Sequence, residues 1–240
     1  MITKDHVAYI DTDSCYIKIG QYLEQMGVKD KFETLDQKEQ VEYVKRINDV
    51  IVNYVNDKCY HITQRKHYNS QVDDFKIVFE PEKIALTGLF STKKRYATWT
   101  LLNDGKWKDD LSITGLEVIR SDSPEMVKPK ILEILKMILK KYPDDEISTT
   151  IGQHKSELYK ATPEEISTNK GINKLTKYLD TPYTWLKKCP HQLKGVANFS
   201  FLLNKFKLED LYDIPLEGNK AKIVYLKKNK YNKISLSFYK

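Results

Sequence analysis

A short polar turn with two carboxylates lies between two apolar segments near the amino end, and it constrains the fold more than any other feature. Residues 7–10 (VAYI) precede it and residues 15–19 (CYIKI) follow it. Both segments are rich in β-branched and aromatic residues, so residues 11–14 (DTDS) are predicted to form the turn of a β-hairpin. Asp11 and Asp13 repel each other on such a turn, and a hard divalent cation such as Mg²⁺ relieves that repulsion. The hairpin is therefore a candidate metal-binding site.

Composition limits the class of protein and the kind of partner. With 240 residues, of which 40% are hydrophobic, the chain can bury a core in one or two domains. A net charge of +7 favours a polyanionic partner such as nucleic acid, although a lysine-rich enzyme has the same balance. The three cysteines are far apart and form no CxxC pair, which indicates a reducing compartment and no structural zinc. No apolar run approaches the roughly 20 residues of a membrane span, and no secretory leader is visible, so we expect a cytoplasmic location.

The first 120 residues predict an α+β unit with an antiparallel sheet. After the hairpin, apolar spacing predicts one long amphipathic helix over residues 36–60. Alternating apolar residues then predict four strands, at residues 75–79, 84–86, 95–102 and 111–119.

The character of the chain changes near residue 121, where we place a domain boundary. Ser123, followed by Pro124 and Glu125, is typical of a helix start, and an apolar stripe of about four turns follows. The chain is predicted to remain mainly helical to about residue 188. A lysine-rich C-terminal part then contains short alternating segments such as residues 223–226.

A cluster of cations stands beside an aromatic residue at Lys93-Lys94-Arg95-Tyr96. Three consecutive cations suit the phosphate backbone of a duplex, although such a run is more often a solvated surface. Its place in the chain favours the first interpretation, because a strand follows it and residues 115–122 (GLEVIRSD) come next.

These segments, in this order, resemble the C-terminal part of a family B DNA polymerase of the T-even phage branch. Tyr9–Ser14 resembles the YxDTDS motif C of that family, and Lys93–Tyr96 is identical to its KKRY motif. Leu116–Asp122 resembles the GLE-containing strand that leaves the palm, and Cys189–Val196 resembles a thumb segment. The resemblance implies the C-terminal part of a palm over residues 1–121, a mainly helical thumb, incomplete at its C-terminus, over residues 122–240, and DNA-templated DNA synthesis.

The resemblance also implies roles for individual residues. Asp13 matches a direct Mg²⁺ ligand, Asp11 lies beside the metals, and Glu82 matches a further acid near them. An ordinary exposed acid of a turn is an equally good interpretation of Glu82. Thr12 and Tyr9 match positions near the nucleotide and the primer terminus. The residues implied to hold the primer–template duplex are Lys93, Lys94, Arg95, Tyr96 and Lys194, the last of which could be an ordinary surface lysine.

Half of the catalytic site is missing from these 240 residues. Nucleotidyl transfer uses two metals about 3.5–4 Å apart, which one acidic hairpin cannot hold. Neither the DxxSLYPS motif A nor the KxxxNSxYG fingers motif of the family is present, and the DxE signature of its proofreading exonuclease is also absent. We therefore expect a piece of a polymerase, a split subunit in preference to a truncated fragment. Its partners would be primer–template DNA, dNTP and a larger subunit with the exonuclease, motif A and fingers, joined through an interface above roughly 2,000 Å².

Two other classes of function remain open. Phosphatases of the haloacid dehalogenase type also place DxD after an apolar strand, with the first aspartate as nucleophile. In that family a loop and a helix follow, whereas here residues 15–19 predict a strand. A non-catalytic fragment that grips duplex DNA would need only the cations. Asp11 and Asp13 argue against it, because acids near phosphates weaken such binding.

Overall fold

Two compact units make up the chain, and they divide between Thr114 and Gly115. A computed structural model describes residues 6–67, 77–179, 189–230 and 235–239. Helices and antiparallel sheets occur in both units, which confirms the α+β class. The boundary predicted at residue 121 falls a few residues inside the second unit.

The first unit begins with the predicted hairpin and ends with a three-stranded sheet. The hairpin pairs β1 (Val7–Asp11) with β2 (Ser14–Ile17), and three helices follow. The helices are α1 (Ile19–Gln25), α2 (Lys29–Glu33) and α3 (Gln37–Val55), and α3 continues through a π-helical turn (Asn56–Tyr60) into α4 (His61–His67). The sheet has the order β3 (Lys83–Thr92), β4 (Arg95–Asn103), β5 (Lys106–Thr114), and both pairs are antiparallel.

The long helix predicted over residues 36–60 corresponds to α3 and its π-helical extension. Asp36 and Glu39 form a capping box at its start, with each side chain bonded to the other's backbone N–H. Val41 and Val44 of the predicted apolar stripe are buried. Helices α1 and α2 were not predicted, because seven and five residues are too few to establish a helical period.

The strand predicted over residues 75–79 is wrong where the structure describes it; residues 75 and 76 lie outside the described part. Ile77 and Phe79 belong to no strand. Instead, the Phe79 N–H donates to Asn56 Oδ1 at 2.7 Å, and Asn56 Nδ2 donates to the Phe79 carbonyl at 2.9 Å. Gln64 Nε2 donates to the Ile77 carbonyl at 2.8 Å. Side-chain amides thus replace a neighbouring strand as partners of this backbone.

The strand predicted over residues 111–119 is displaced towards the amino end. β5 ends at Thr114, and Gly115 follows with a left-handed φ of +62°. Residues Glu117–Ile119 then form a 3₁₀ turn. Residues 116–119 alternate between buried and exposed, but they lie outside the sheet because the left-handed turn at Gly115 separates them from β5.

The second unit combines helices with a small sheet that the sequence did not predict. Its helices are α5 (Val127–Leu139), α6 (Asp144–Lys160), α7 (Thr176–Leu179) and α8 (His191–Phe206). β6 (Thr168–Gly171), β7 (Lys220–Tyr225) and β8 (Ser235–Phe238) form an antiparallel sheet in that order. The predicted helical stretch to residue 188 is therefore wrong at β6, whose partner strand lies some 50 residues further along the chain. The predicted cap at Ser123 is also wrong, since α5 begins at Val127 with Met126 before it.

Helix α8 packs closely on β8 in the core of the second unit. A Cβ at Gly195 would lie 2.8 Å from the Ser237 backbone nitrogen, so only glycine fits at this contact. Ser237 Oγ donates to the Gln192 carbonyl at 2.8 Å, and Asn198 Nδ2 donates to the Ser235 carbonyl at 2.9 Å. The buried side chains that surround this contact are Ile172, Leu175, Cys189, Leu193, Val196 and Ala221.

Candidate active site

The hairpin turn carries two carboxylates. That of Asp11 accepts a hydrogen bond, and that of Asp13 is exposed. Asp11 pairs with Ser14 at the end of the hairpin, which leaves Thr12 and Asp13 as the turn. Thr12 has a φ of +41°, a left-handed conformation that is uncommon for a β-branched residue. Its hydroxyl donates to Asp11 Oδ1 at 3.2 Å, and the Ser14 hydroxyl donates to the Asp11 carbonyl at 3.4 Å. Strained backbone of this kind is concentrated at functional sites, which supports the interpretation of the tip as a site.

The turn between β3 and β4 carries the predicted cations and lies against the acidic tip. Lys93 Nζ is 3.5 Å from Asp11 Oδ1, although the Lys93 side chain is largely exposed. The Lys94 backbone N–H donates to the Tyr9 hydroxyl at 2.7 Å. The structure therefore brings Tyr9 and Asp11 of the hairpin together with Lys93 and Lys94, although the two segments are far apart in sequence.

Four aromatic rings hold these two turns side by side. They are Tyr9 and Tyr16 of the hairpin, and Phe90 and Tyr96 of the sheet, with ring centroids 5.1 to 6.4 Å apart. Burial, the neighbouring Tyr96 hydroxyl and the charge of Glu82 raise the pKa of Tyr16, so this hydroxyl stays neutral. Ring packing of this kind fixes the orientation of the hairpin on the sheet.

The electrostatics of the site keep Asp11 ionised. Partial desolvation raises the pKa of Asp11, but the Thr12 hydroxyl and the charges of Lys94 and Lys93 together lower it below its ordinary value. The carboxylates of Asp11 and Asp13 are hard oxygen ligands and fit a divalent cation such as Mg²⁺. Among the residues that the structure describes, no group of three or more Asp, Glu, His or Cys converges as a ligand set.

Glu82 and Lys194 are the two remaining candidate site residues. The structure does not bring Glu82 into a common ligand set with Asp11 and Asp13. Its carboxylate pairs with Lys83 Nζ at 2.9 Å, although its charge is felt at Tyr16. Lys194 lies in the first turn of α8 in the second unit, where it is half-buried.

Sequence reasoning missed two features near the motifs. Phe90 and Tyr16 complete the aromatic cluster, and the signal for them was their place on strands that flank the two turns. Asp122 accepts bonds from Arg120 Nε at 3.0 Å and from Lys170 Nζ at 2.6 Å, which ties the segment after β5 to β6. The side-chain bonds of Arg120 and Lys170 lower the pKa of Asp122 well below its usual range. No sequence pattern indicated the distant Lys170.

Comparison with known proteins identifies the family. A sequence model of DNA polymerase family B matches residues 51–194, which is more than half of the chain. The chain belongs to this family. It is 24% identical over 232 residues to the DNA-directed DNA polymerase of Enterobacteria phage T4. That alignment covers 93% of this chain and 25% of the relative, so the chain spans a quarter of the relative's length.

Within residues 6–67, 77–179, 189–230 and 235–239, no helix is both long enough and apolar enough to span a bilayer.

Proposed function

We propose that this chain supplies the palm and thumb of a family B DNA polymerase and takes part in DNA-templated nucleotidyl transfer. The observation that carries the proposal is the 3.5 Å approach of Lys93 Nζ to Asp11 Oδ1. This approach places a candidate metal-binding site directly beside a candidate duplex-binding turn, as an enzyme acting at a primer terminus requires. In this proposal the first unit is the palm and the second unit is the thumb.

The residues of the hairpin would divide the chemistry among them. Asp13 and Asp11 would hold Mg²⁺, which stabilises charge on the reacting phosphate and lowers the pKa of the attacking 3′ hydroxyl. Lys93, Lys94 and Arg95 would bind the phosphate backbone of the duplex as sequence-independent contacts. Tyr9 bonds to both groups and Thr12 bonds to Asp11, and both would lie near the nucleotide and the primer terminus.

The opposing carboxylate and the triphosphate-binding residues would come from outside these 240 residues. We assign them to a larger polypeptide with motif A, the fingers and the exonuclease. Exposed apolar side chains of the first unit support a covering partner: Val50 is 70% exposed, Tyr54 65% and Ile10 65%. Val50 and Tyr54 lie one turn apart on α3, so they present an apolar stripe that a partner would cover.

Reconstitution tests the proposal. The chain is mixed with a polypeptide that carries motif A and the fingers, and primer extension is measured with dNTP and Mg²⁺. We expect extension from the mixture, none from this chain alone, and none when Asp13→Ala replaces the parent. Asp49→Ala, an exposed acid of α3 away from the hairpin turn, is the matched control and should retain extension.

Three outcomes would contradict this function in different ways. Duplex binding without extension from any such mixture would favour a non-catalytic DNA-binding fragment. Incorporation of dNTP by this chain alone would show that no outside carboxylate is needed. A magnesium-dependent phosphatase activity that Asp11→Asn abolishes would favour the hydrolase alternative.

A further inference from the structure

The Tyr9 hydroxyl lies between the acidic turn and the basic turn and bonds to both. It accepts the Lys94 backbone N–H at 2.7 Å and donates to Asp11 Oδ2 at 3.4 Å. A carboxylate that accepts the hydroxyl proton makes the phenolic oxygen a better acceptor for the Lys94 N–H. One oxygen atom therefore connects the main chain of the β3–β4 turn to a candidate metal ligand.

The basic turn needs an external restraint of this kind. Lys94 has a φ of +61°, a left-handed conformation that is sterically unfavourable for a residue other than glycine. The bond to Tyr9 is made by the backbone nitrogen of this strained residue, so it stabilises the conformation and not merely the side chain. Without that bond the same turn could relax to other backbone conformations.

Tyr9 is itself a fixed point. Its ring stacks on Phe90 with centroids 5.6 Å apart and planes 19° apart, and it contacts Tyr96 at 5.2 Å. Phe90 and Tyr96 face each other across β3 and β4, on the strands that flank the turn. The hydroxyl is therefore held in place by the same strands whose connecting turn it restrains.

We propose that Tyr9 is a positioning residue whose hydroxyl fixes the Lys93–Lys94 turn against the acidic hairpin. The duplex-binding cations and the metal-binding carboxylates then keep one separation. This role rests on the proposed function and adds to it a mechanical link that neither motif alone contains.

The test compares two hydroxyl deletions within one ring cluster. Tyr9→Phe keeps the ring and removes the bond to Lys94. Tyr16→Phe is the matched control, because its ring packs in the same cluster while its hydroxyl lies beside Tyr96. For each variant of the full chain, we measure amide hydrogen exchange at Lys94, affinity for a primer–template duplex, and the thermal unfolding midpoint.

Tyr9→Phe should accelerate exchange at the Lys94 amide by about 3- to 10-fold and weaken duplex binding by about the same factor, as expected for one net hydrogen bond. Tyr16→Phe should leave Lys94 exchange unchanged, because the Tyr16 hydroxyl bonds to Tyr96 and not to the Lys94 backbone. If the parental chain binds the duplex and the Tyr9→Phe variant behaves like the parent, the positioning role alone is overturned. Equal effects of both deletions would also overturn it, since they would indicate general packing. Failure of the parental chain to bind the duplex would instead overturn the proposed function.

Discussion

Two regions of the molecule are built in opposite ways. One is the hairpin end of the first unit, and the other is the contact between α8 and β8 in the second unit. At the hairpin, two exposed turns with left-handed residues at Thr12 and Lys94 meet through side-chain bonds of 2.7 to 3.5 Å. At the α8–β8 contact, a glycine and small polar residues let a helix and a strand touch within a buried core. Both regions coincide with segments that resemble polymerase motifs.

This difference separates motif residues to which we assign binding and chemistry from motif residues that serve packing. Exposed carboxylates and cations add little to stability in water, so the proposed role of those at the two touching turns is one of binding. Gly195 is buried against the β8 backbone, so its requirement is steric. Substitutions at the hairpin should therefore remove function and spare stability, and substitutions at the α8–β8 contact should do the reverse.

The largest effect is expected at Asp13. Asp13→Ala should reduce primer extension by the reconstituted enzyme at least about 100-fold, because even residues that only orient metal ligands contribute about 10- to 100-fold. The unfolding midpoint should remain within the error of the parent, since Asp13 is exposed. Extension rates and thermal unfolding are measured on the same preparations. A large fall in the midpoint would make the hairpin a structural element and remove the contrast with α8.

The opposite pattern is expected at Gly195. Gly195→Ala should lower the free energy of unfolding by about 1–3 kcal/mol, because the added methyl overlaps backbone atoms that cannot rotate away. Gly152→Ala in α6 is the matched control: nothing lies within 4 Å of its added Cβ, so this variant should be stabilised by up to about 1 kcal/mol. Denaturant unfolding followed by circular dichroism measures both. Equal stability of the two variants would contradict the close contact between α8 and β8.

A smaller and more specific effect is expected at Lys93. Lys93→Ala should weaken duplex binding and make the slope of log affinity against log salt shallower by about 1. Lys106→Ala is the matched control, since the β4–β5 turn lies at the other end of β4 from the β3–β4 turn. Fluorescence anisotropy at several salt concentrations measures the slope. Identical slopes for both variants would mean that the cations act only through net charge.

Local patterns in the sequence predicted the hairpin, α3 and the strand β4 that follows the cations, because each depends on neighbouring residues. The two carboxylates between apolar segments, the apolar spacing of α3 and the β-branched and aromatic residues of β4 are all signals of short range. The sequence did not predict β6, whose strand identity comes from pairing with Lys220–Tyr225. It also missed the irregular backbone at Ile77, which bonds to a helical glutamine.

The site was predicted as a set of residues, but its geometry was not. Motif resemblance named Asp11 and Lys93, while only the fold shows that the turns held by the aromatic cluster place these two within ion-pair distance. Glu82 illustrates the limit of the approach. It occupies a motif-like position, yet it pairs with the adjacent Lys83 and joins no common ligand set with the hairpin carboxylates.

The smallest effect is expected at Asp122. Its substitution tests whether charge or packing joins the segment after β5 to β6. Bonds from Arg120 and Lys170 hold the pKa of Asp122 below its usual value near 3.9. A lowered folded-state pKa adds stability at neutral pH, and that contribution is lost as the pH falls below the unfolded value. Asp122→Asn should therefore be less stable than the parent at pH 7 by no more than about 1 kcal/mol, because the ion pairs are partly solvated. The difference should shrink as the pH falls from 5 towards 2, measured by urea unfolding at each pH, while Asp210→Asn, an exposed acid of the same unit, should track the parent throughout. A difference that persists undiminished at low pH would assign the effect to packing, and the segment after β5 would then resemble the α8–β8 contact more than the hairpin.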